Sequence, residues 1–333
     1  MNQSWNTKMI IISVIISLVV IAIIISGTIT KETFLYLFTL DPFLFLIAIG
    51  LHLIYWFAWA GRIKILSKSM NYSIGYLKSL NIVMVNVLAA SVTPSNAGGE
   101  PVRIKMLNDL GVRGGDATAI VISERVSDAI FFLAIFPLLI IFFGLSISGI
   151  IGTLLIFAII LLASLIIIIS ILVWKHKNVE KFLEKFDSIL KFFVKGKEKR
   201  FKLIEKLKME FRYFQKGIKI MILKRKLNFI VVMILTAIIW ISDFIIFSII
   251  LLSLHQDPLW IYSIFAQILI VLLSTIPISP GGSGLVEFVA AILYAPFIRK
   301  DVIGVVILIW RFIVFYLNII VGLFFTLRHV VKR

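Results

Sequence analysis

Six uninterrupted apolar runs dominate the sequence: Met9–Ser26, Phe43–Gly61, Ala117–Phe143, Gly149–Val173, Asn228–Leu254 and Val302–Leu327. A helix rises about 1.5 Å per residue, so runs of this length match the roughly 30 Å hydrocarbon core of a bilayer. Lipid offers the backbone no hydrogen-bond partner, which leaves helices and closed barrels as the only spanning structures. The runs are continuous rather than alternating, and that selects helices. Composition agrees, with 61% hydrophobic and 15% charged residues and a mean hydropathy of +1.09. A soluble chain must present charge over most of its surface, so a soluble enzyme is excluded. The sequence predicts an all-α, polytopic membrane protein. A single lysine precedes the first run and no small-residue cleavage site follows it, so it reads as a first span rather than a removed signal peptide.

Two further apolar stretches are less regular. Ser79–Thr93 would make only about 22 Å of helix, short of the hydrocarbon core. It runs into Pro94-Ser95-Asn96-Ala97-Gly98-Gly99-Glu100-Pro101. Leu259–Ile276 runs into Pro277-Ile278-Ser279-Pro280-Gly281-Gly282-Ser283-Gly284, then into a short apolar helix ending near Ile298.

Charge decides how these stretches behave. The chain has 34 Lys and Arg against 17 Asp and Glu, a formal charge of +17. Eighteen of the basic residues and six of the acidic ones lie between Trp174 and Leu227. A basic connection between spans is a cytoplasmic retention signal, the reading preferred here to nucleic-acid binding. Treating both irregular stretches as simple spans would put this connection outside. Treating both as re-entrant helical hairpins puts Arg62–Lys78, Trp174–Leu227 and Arg328–Arg333 all inside. The sequence therefore predicts six full spans plus two hairpins in the plasma membrane, with both termini cytoplasmic.

Both hairpin tips carry Pro-x-x-x-Gly-Gly: Pro94 with Gly98-Gly99, and Pro277 with Gly281-Gly282. A span with an internal arginine follows each, Arg125 and Arg311. This predicts an inverted repeat. Residues 1–145 form the first unit, with a hairpin at 79–107, and residues 146–333 the second, with a hairpin at 259–298. The second also holds the basic cytoplasmic segment 174–227. Apolar residues recur at helical spacing from Val179 to Phe193 and from Leu203 to Phe214. Two placements suit such helices, one in the headgroup layer and one packed on the protein itself.

Proline and paired glycines break a membrane helix and free backbone N–H groups. Such backbone is tolerated only where protein or a water-filled cavity surrounds it. A broken helix near the midplane also turns a positive N-terminal end toward the cavity, which suits an anion such as phosphate. Pro101 fits the first turn and Gly111 the stop of a short helix carrying Arg103. Charges inside spans cost about 2.5–3.5 kcal/mol each on insertion scales. Glu124 and Asp128 lie one turn apart with Arg125 adjacent, Arg311 and Asn318 share a face, and Glu287 lies in the second hairpin. Arg holds phosphate in a planar fork, so Arg103, Arg125 and Arg311 are the phosphate candidates.

The full set of candidate substrate-binding residues is Pro94, Asn96, Gly98, Gly99, Glu100, Arg103, Glu124, Arg125, Asp128, Pro280, Gly281, Gly282, Ser283, Glu287, Arg311 and Asn318. Structural alternatives stand beside these assignments. The tips also fit tight packing turns, and Glu124 or Glu287 also fits a structural ion pair with the arginines. His52 and Asp243 sit within spans, where a buried hydrogen-bonded role competes with carrying a coupled proton. Zero cysteines exclude disulfides and thiolate metal sites, and four scattered histidines offer no ligand spacing. With no nucleotide-binding loop or nucleophile elbow, the sequence predicts no cofactor and no enzyme.

At these residues the chain resembles a known family. Thr93-Pro94-Ser95-Asn96-Ala97-Gly98-Gly99-Glu100-Pro101-Val102-Arg103, Glu124-Arg125 and Pro280-Gly281-Gly282-Ser283-Gly284-Leu285-Val286-Glu287 look like signatures of the lysylphosphatidylglycerol synthase transmembrane family. The resemblance covers essentially the whole chain. It implies an integral membrane protein that moves or handles lipids or lipid-linked substrates, with anionic membrane lipids as partners and no nucleic acid. The separate synthase domain of that family is missing from this sequence, so the resemblance carries no synthase activity. Three functions follow for test: a flippase-like lipid translocator, a secondary transporter of a small anion, and a membrane protein acting on lipid-linked sugars.

Overall fold

The computed structural model describes residues 38–94, 96–143, 150–174, 197–274 and 279–331. All regular elements among them are helical: α1 (Pro42–Ser69), α2 (Tyr76–Ser91), α3 (Gly99–Asp109), α4 (Gly114–Phe143), α5 (Ile150–Trp174), α6 (Lys197–Lys219), α7 (Lys226–Ser253), α8 (Trp260–Ser274), α9 (Leu285–Tyr294), α10 (Lys300–Arg311) and α11 (Leu317–Val331). A π-helical turn, Phe312–Tyr316, joins α10 to α11. Among the described residues, three continuous helical segments are long and apolar enough to cross a membrane: Pro42–Ser69, Lys226–Ser253 and Lys300–Arg328. The predicted first span, Met9–Ser26, and the apolar stretch Val179–Phe193 lie outside the described residues.

Local chemistry sets the helix ends. Asp41 accepts from the backbone N–H groups of Phe43 (2.8 Å) and Leu44 (3.2 Å), with Pro42 at the first helical position of α1. The helix then runs past the predicted apolar boundary at Gly61 and carries Arg62 and Lys64 inside it. Leaving the hydrocarbon core does not end a helix when the following residues are good helix formers. It stops at Asn71, in the left-handed region at φ 66°, where the N–H of Tyr72 reaches the Ser67 carbonyl. Gly111 ends α3 in the same way, as its spacing predicted.

The helices form two compact units. The first comprises residues up to Gly61, Leu77–Val102 and Ala237 onward, and the second Arg62–Tyr76 and Arg103–Thr236. In the first unit, Leu88, Val92, Phe315 and Ile319 form a buried cluster with Tyr316 against it. A Cβ on Gly322 would meet Leu88 Cβ at 2.7 Å, so α11 lies very close to α2. Phe247 stacks on Tyr294 at 3.9 Å between ring centroids.

In the second unit, α6 packs on α4 and α5. Glu210 accepts from the N–H of Gly115, and Gln215 Nε2 donates to the Leu172 carbonyl at 2.6 Å. Ile204, Phe214 and Ile218 are buried on this face. For the second of the two amphipathic segments, Leu203–Phe214 within α6, the structure shows packing on the protein itself. Tyr72 donates to Asp116 at 2.6 Å. Burial first, and this bond second, push its phenol above the usual tyrosine range.

Candidate functional site

The two helix breaks meet in the first unit. Pro94 and Pro280 pair as an isolated antiparallel bridge, and the N–H of Gly281 donates to the Thr93 carbonyl at 3.1 Å. Gly281 has φ 60°, and a Cβ there would lie 2.5 Å from the Ser91 carbonyl oxygen and 2.6 Å from Phe315. Only glycine meets both demands without strain. The breaks share a residue pattern but not a backbone. Gly281, Gly282 and Gly284 all have positive φ, whereas in the first break Asn96 does and Gly99 already opens α3. A Cβ on Gly99 would meet Asn86 Oδ1 at 2.5 Å, so that glycine serves close packing of α3 on α2. Gly98 donates its N–H to Thr93 Oγ1 at 2.8 Å, closing the first turn.

Arg311 belongs to this tip region. It is buried, and its Nε lies 2.9 Å from Glu287 Oε1. Glu287 uses its other oxygen to accept from the N–H of Gly284 at 2.8 Å, capping α9. The guanidinium stacks on Phe315 at 4.0 Å, and Phe315 is the ring that Gly281 accommodates. Arg311 Nη2 is buried with no hydrogen-bond partner, and so is Ser283 Oγ. One edge of the guanidinium is thus held by carboxylate while a buried donor stays open. An unmet charged donor costs more than a neutral one, which makes this a place where an anion oxygen fits.

The remaining charged candidates gather in the second unit. Glu124 is wholly buried and bridges two arginines, with Oε1 3.2 Å from Arg62 Nε and Oε2 2.6 Å from Arg103 Nη1. Asp128 Oδ1 lies 2.6 Å from Arg62 Nη1, and its Oδ2 lies 3.3 Å from Arg125 Nη1. Thr236 Oγ1 accepts from Arg62 Nη1 at 3.1 Å. Three arginines thus face two carboxylates, in the manner of the ion-pair alternative for Arg103, Arg125 and Glu124. Arg125 is the most open of them, with 37% of its side chain exposed. Glu100 lies in the first turn of α3, where a carboxylate complements the helix end.

Asn318 does not join Arg311. The π-helical turn between them takes an extra residue, and Asn318 bonds instead to Trp56 Nε1 at 2.9 Å and His52 Nε2 at 3.2 Å. Asp243 approaches His52 Nδ1 at 3.9 Å.

Two participants escape sequence reasoning. Arg62 sits one residue beyond the apolar run, where its charge reads as part of a basic cytoplasmic stretch; only the matching need of Glu124 and Asp128 for a cation pointed to it. The π-helical turn leaves no mark in the apolar pattern of the last span. A separate cavity of about 510 Å³ in the second unit, lined by residues such as Ile104, Thr118, Leu207 and Phe211, contains none of the predicted site residues.

Long apolar helices with buried arginine–carboxylate groups and two Pro/Gly breaks define a polytopic membrane protein with charge sealed inside it. The chain belongs to the family described as the lysylphosphatidylglycerol synthase TM region, which matches residues 10–322. It is similar to a UPF0104 membrane protein of Archaeoglobus fulgidus, 36% identical over 280 residues and 84% of each chain. It is also similar to a UPF0104 membrane protein of Pyrococcus horikoshii, 25% identical over 325 residues and 95% of each chain.

Proposed function

We propose that this protein is a flippase-like translocator of an anionic lipid or lipid-linked substrate. The headgroup binds at the paired helix breaks while its tails stay in the bilayer. The observation that carries this reading is the buried Nη2 of Arg311, which lacks a hydrogen-bond partner beside the Phe315–Gly281 contact. Ser283 Oγ adds a second open donor from the same tip. Phosphate oxygen satisfies such donors, and the planar fork of arginine suits it better than lysine.

In this reading the chain has six spans and two re-entrant hairpins, arranged as inverted repeats 1–145 and 146–333. Both termini and residues 174–227 are cytoplasmic, in the plasma membrane. The shared Pro-x-x-x-Gly-Gly pattern and the distribution of basic residues support this arrangement. Arg103, Arg125, Glu124 and Asp128 then serve as an ionic frame, and transport runs downhill or on an ion gradient.

The test is reconstitution into vesicles holding a trace of fluorescent anionic phospholipid, with outer-leaflet dye destroyed by an impermeant reductant. Protein should make the inner-leaflet dye accessible, and Arg311→Gln should abolish this. Accessibility unchanged by the protein would refute translocation. Uptake of free phosphate or sulfate into the same vesicles, without lipid movement, would instead identify a small-anion transporter.

A further inference from the structure

Asn318 fixes the protonation of a buried histidine. Its Nδ2 donates to the Val314 carbonyl at 2.6 Å, which turns Oδ1 toward α1. There Oδ1 accepts from Trp56 Nε1 at 2.9 Å, and an indole nitrogen only donates, so the amide has a single sensible orientation. His52 Nε2 lies 3.2 Å from the same oxygen. A ring nitrogen facing an acceptor must carry the hydrogen, so neutral His52 is protonated on Nε2 and holds a bare lone pair on Nδ1.

That lone pair is buried and has no hydrogen bond. It faces Asp243 Oδ1 across 3.9 Å. Two acceptors opposed at this distance repel, and a proton on either one turns the repulsion into attraction. Aromatic side chains flank the imidazole. Tyr55, a further titratable group, stacks on the imidazole at 5.4 Å, and Trp56 meets its edge at 4.8 Å. Asn318 comes from α11 and Asp243 from α7.

We propose that His52 and Asp243 form a binding site for one exchangeable proton, held on Nδ1 or Oδ1 and shared between them. Without the proton the pair is a neutral imidazole and a carboxylate, with a charge of minus one. With it the pair is neutral overall, as imidazolium with carboxylate or imidazole with carboxylic acid, and no other bond changes. His52 is 1% exposed, whereas Asp243 keeps 20% of its side chain open and is the more accessible member of the pair. The Val314 carbonyl that orients Asn318 belongs to the π-helical turn whose Phe315 stacks on Arg311. Proton occupancy therefore bears on the turn that positions the proposed headgroup donor. This last consequence rests on the translocation reading; the proton site does not.

Nitrogen NMR of histidine-labelled protein in nanodiscs tests the site without any transport measurement. The chain has four histidines, so His176→Gln, His255→Asn and His329→Gln together leave His52 as the sole signal. At high pH the spectrum should show Nε2 protonated and Nδ1 bare, with Nδ1 changing as one proton binds on acidification. Asp243→Asn should lower the midpoint by at least about one pH unit, a tenfold loss of proton affinity. An Nδ1–H tautomer at high pH, measured with Asp243 intact, would overturn the proposal. So would a midpoint unmoved by Asp243→Asn.

Discussion

Arg62 and Glu124, both buried, bind Nε to Oε1 at 3.2 Å although 62 residues separate them in sequence. Glu124 thereby joins the C-terminal part of α1 to α4 and, through its second oxygen, to Arg103 of α3 at 2.6 Å. A carboxylate with two arginines on its two oxygens is occupied as a structural bridge. This relationship separates the charged candidates by role, with a frame around Glu124 and an open donor at Arg311.

Glu124→Gln should be strongly destabilising. Removing one partner of a buried ion pair leaves uncompensated charge, at a cost of about 3–5 kcal/mol. Arg103 loses the carboxylate at 2.6 Å, whereas Arg62 keeps Asp128 at 2.6 Å, so the main cost falls on Arg103. Thermal unfolding in detergent measures it. A melting temperature within error of the parent protein would show that the bridge is not structural.

Arg311→Lys should act on ligand rather than on fold. The substitution keeps the charge near Glu287 but loses the planar fork and the buried Nη2 donor. A charged hydrogen bond contributes about 1.5–3 kcal/mol, roughly 10- to 150-fold in affinity. The thermal shift produced by anionic lipid should shrink accordingly in Arg311→Lys. Equal shifts in the two proteins would remove Arg311 from the headgroup site.

Gly281→Ala and Gly50→Ala should behave in opposite ways. An alanine at 281 would take a left-handed conformation costing about 1–2 kcal/mol and press on the Ser91 carbonyl and Phe315. At Gly50, within α1, a Cβ meets nothing within 4 Å, and alanine gains about 0.5–1 kcal/mol of helix preference. Melting temperatures of the two variants decide the matter. Gly281→Ala as stable as Gly50→Ala would mean that contact between the breaks contributes little.

Membrane orientation is open to direct chemical test because the chain has no cysteine. Arg299, with 61% of its side chain exposed, should react as Arg299→Cys with an impermeant maleimide added to intact cells. Lys195→Cys should react only after the membrane is opened. The reverse pattern would invert the proposed topology.

Hydrophobicity and chain order were sufficient to establish the membrane class, the helical content and the helix breaks of this protein. Apolar runs such as Asn228–Leu254 leave lipid as the only compatible solvent, and Pro94 and Pro280 with their glycines cannot continue a helix. The stop at Gly111 and the short helix carrying Arg103 were legible for the same local reason. Which charge meets which was not legible, because an ion pair depends on distance across helices rather than on spacing along one. Arg62 looked like surface charge until Glu124 and Asp128 came within 2.6–3.2 Å of it. Arg311 and Asn318 looked like neighbours until the π-helical turn, a backbone choice made by packing, gave them different partners. The tertiary structure alone decided that Pro94 would lie against Pro280, because that contact spans 186 residues of sequence and depends on packing around Phe315, which is buried with Leu88 and Val92 and lies against Gly281.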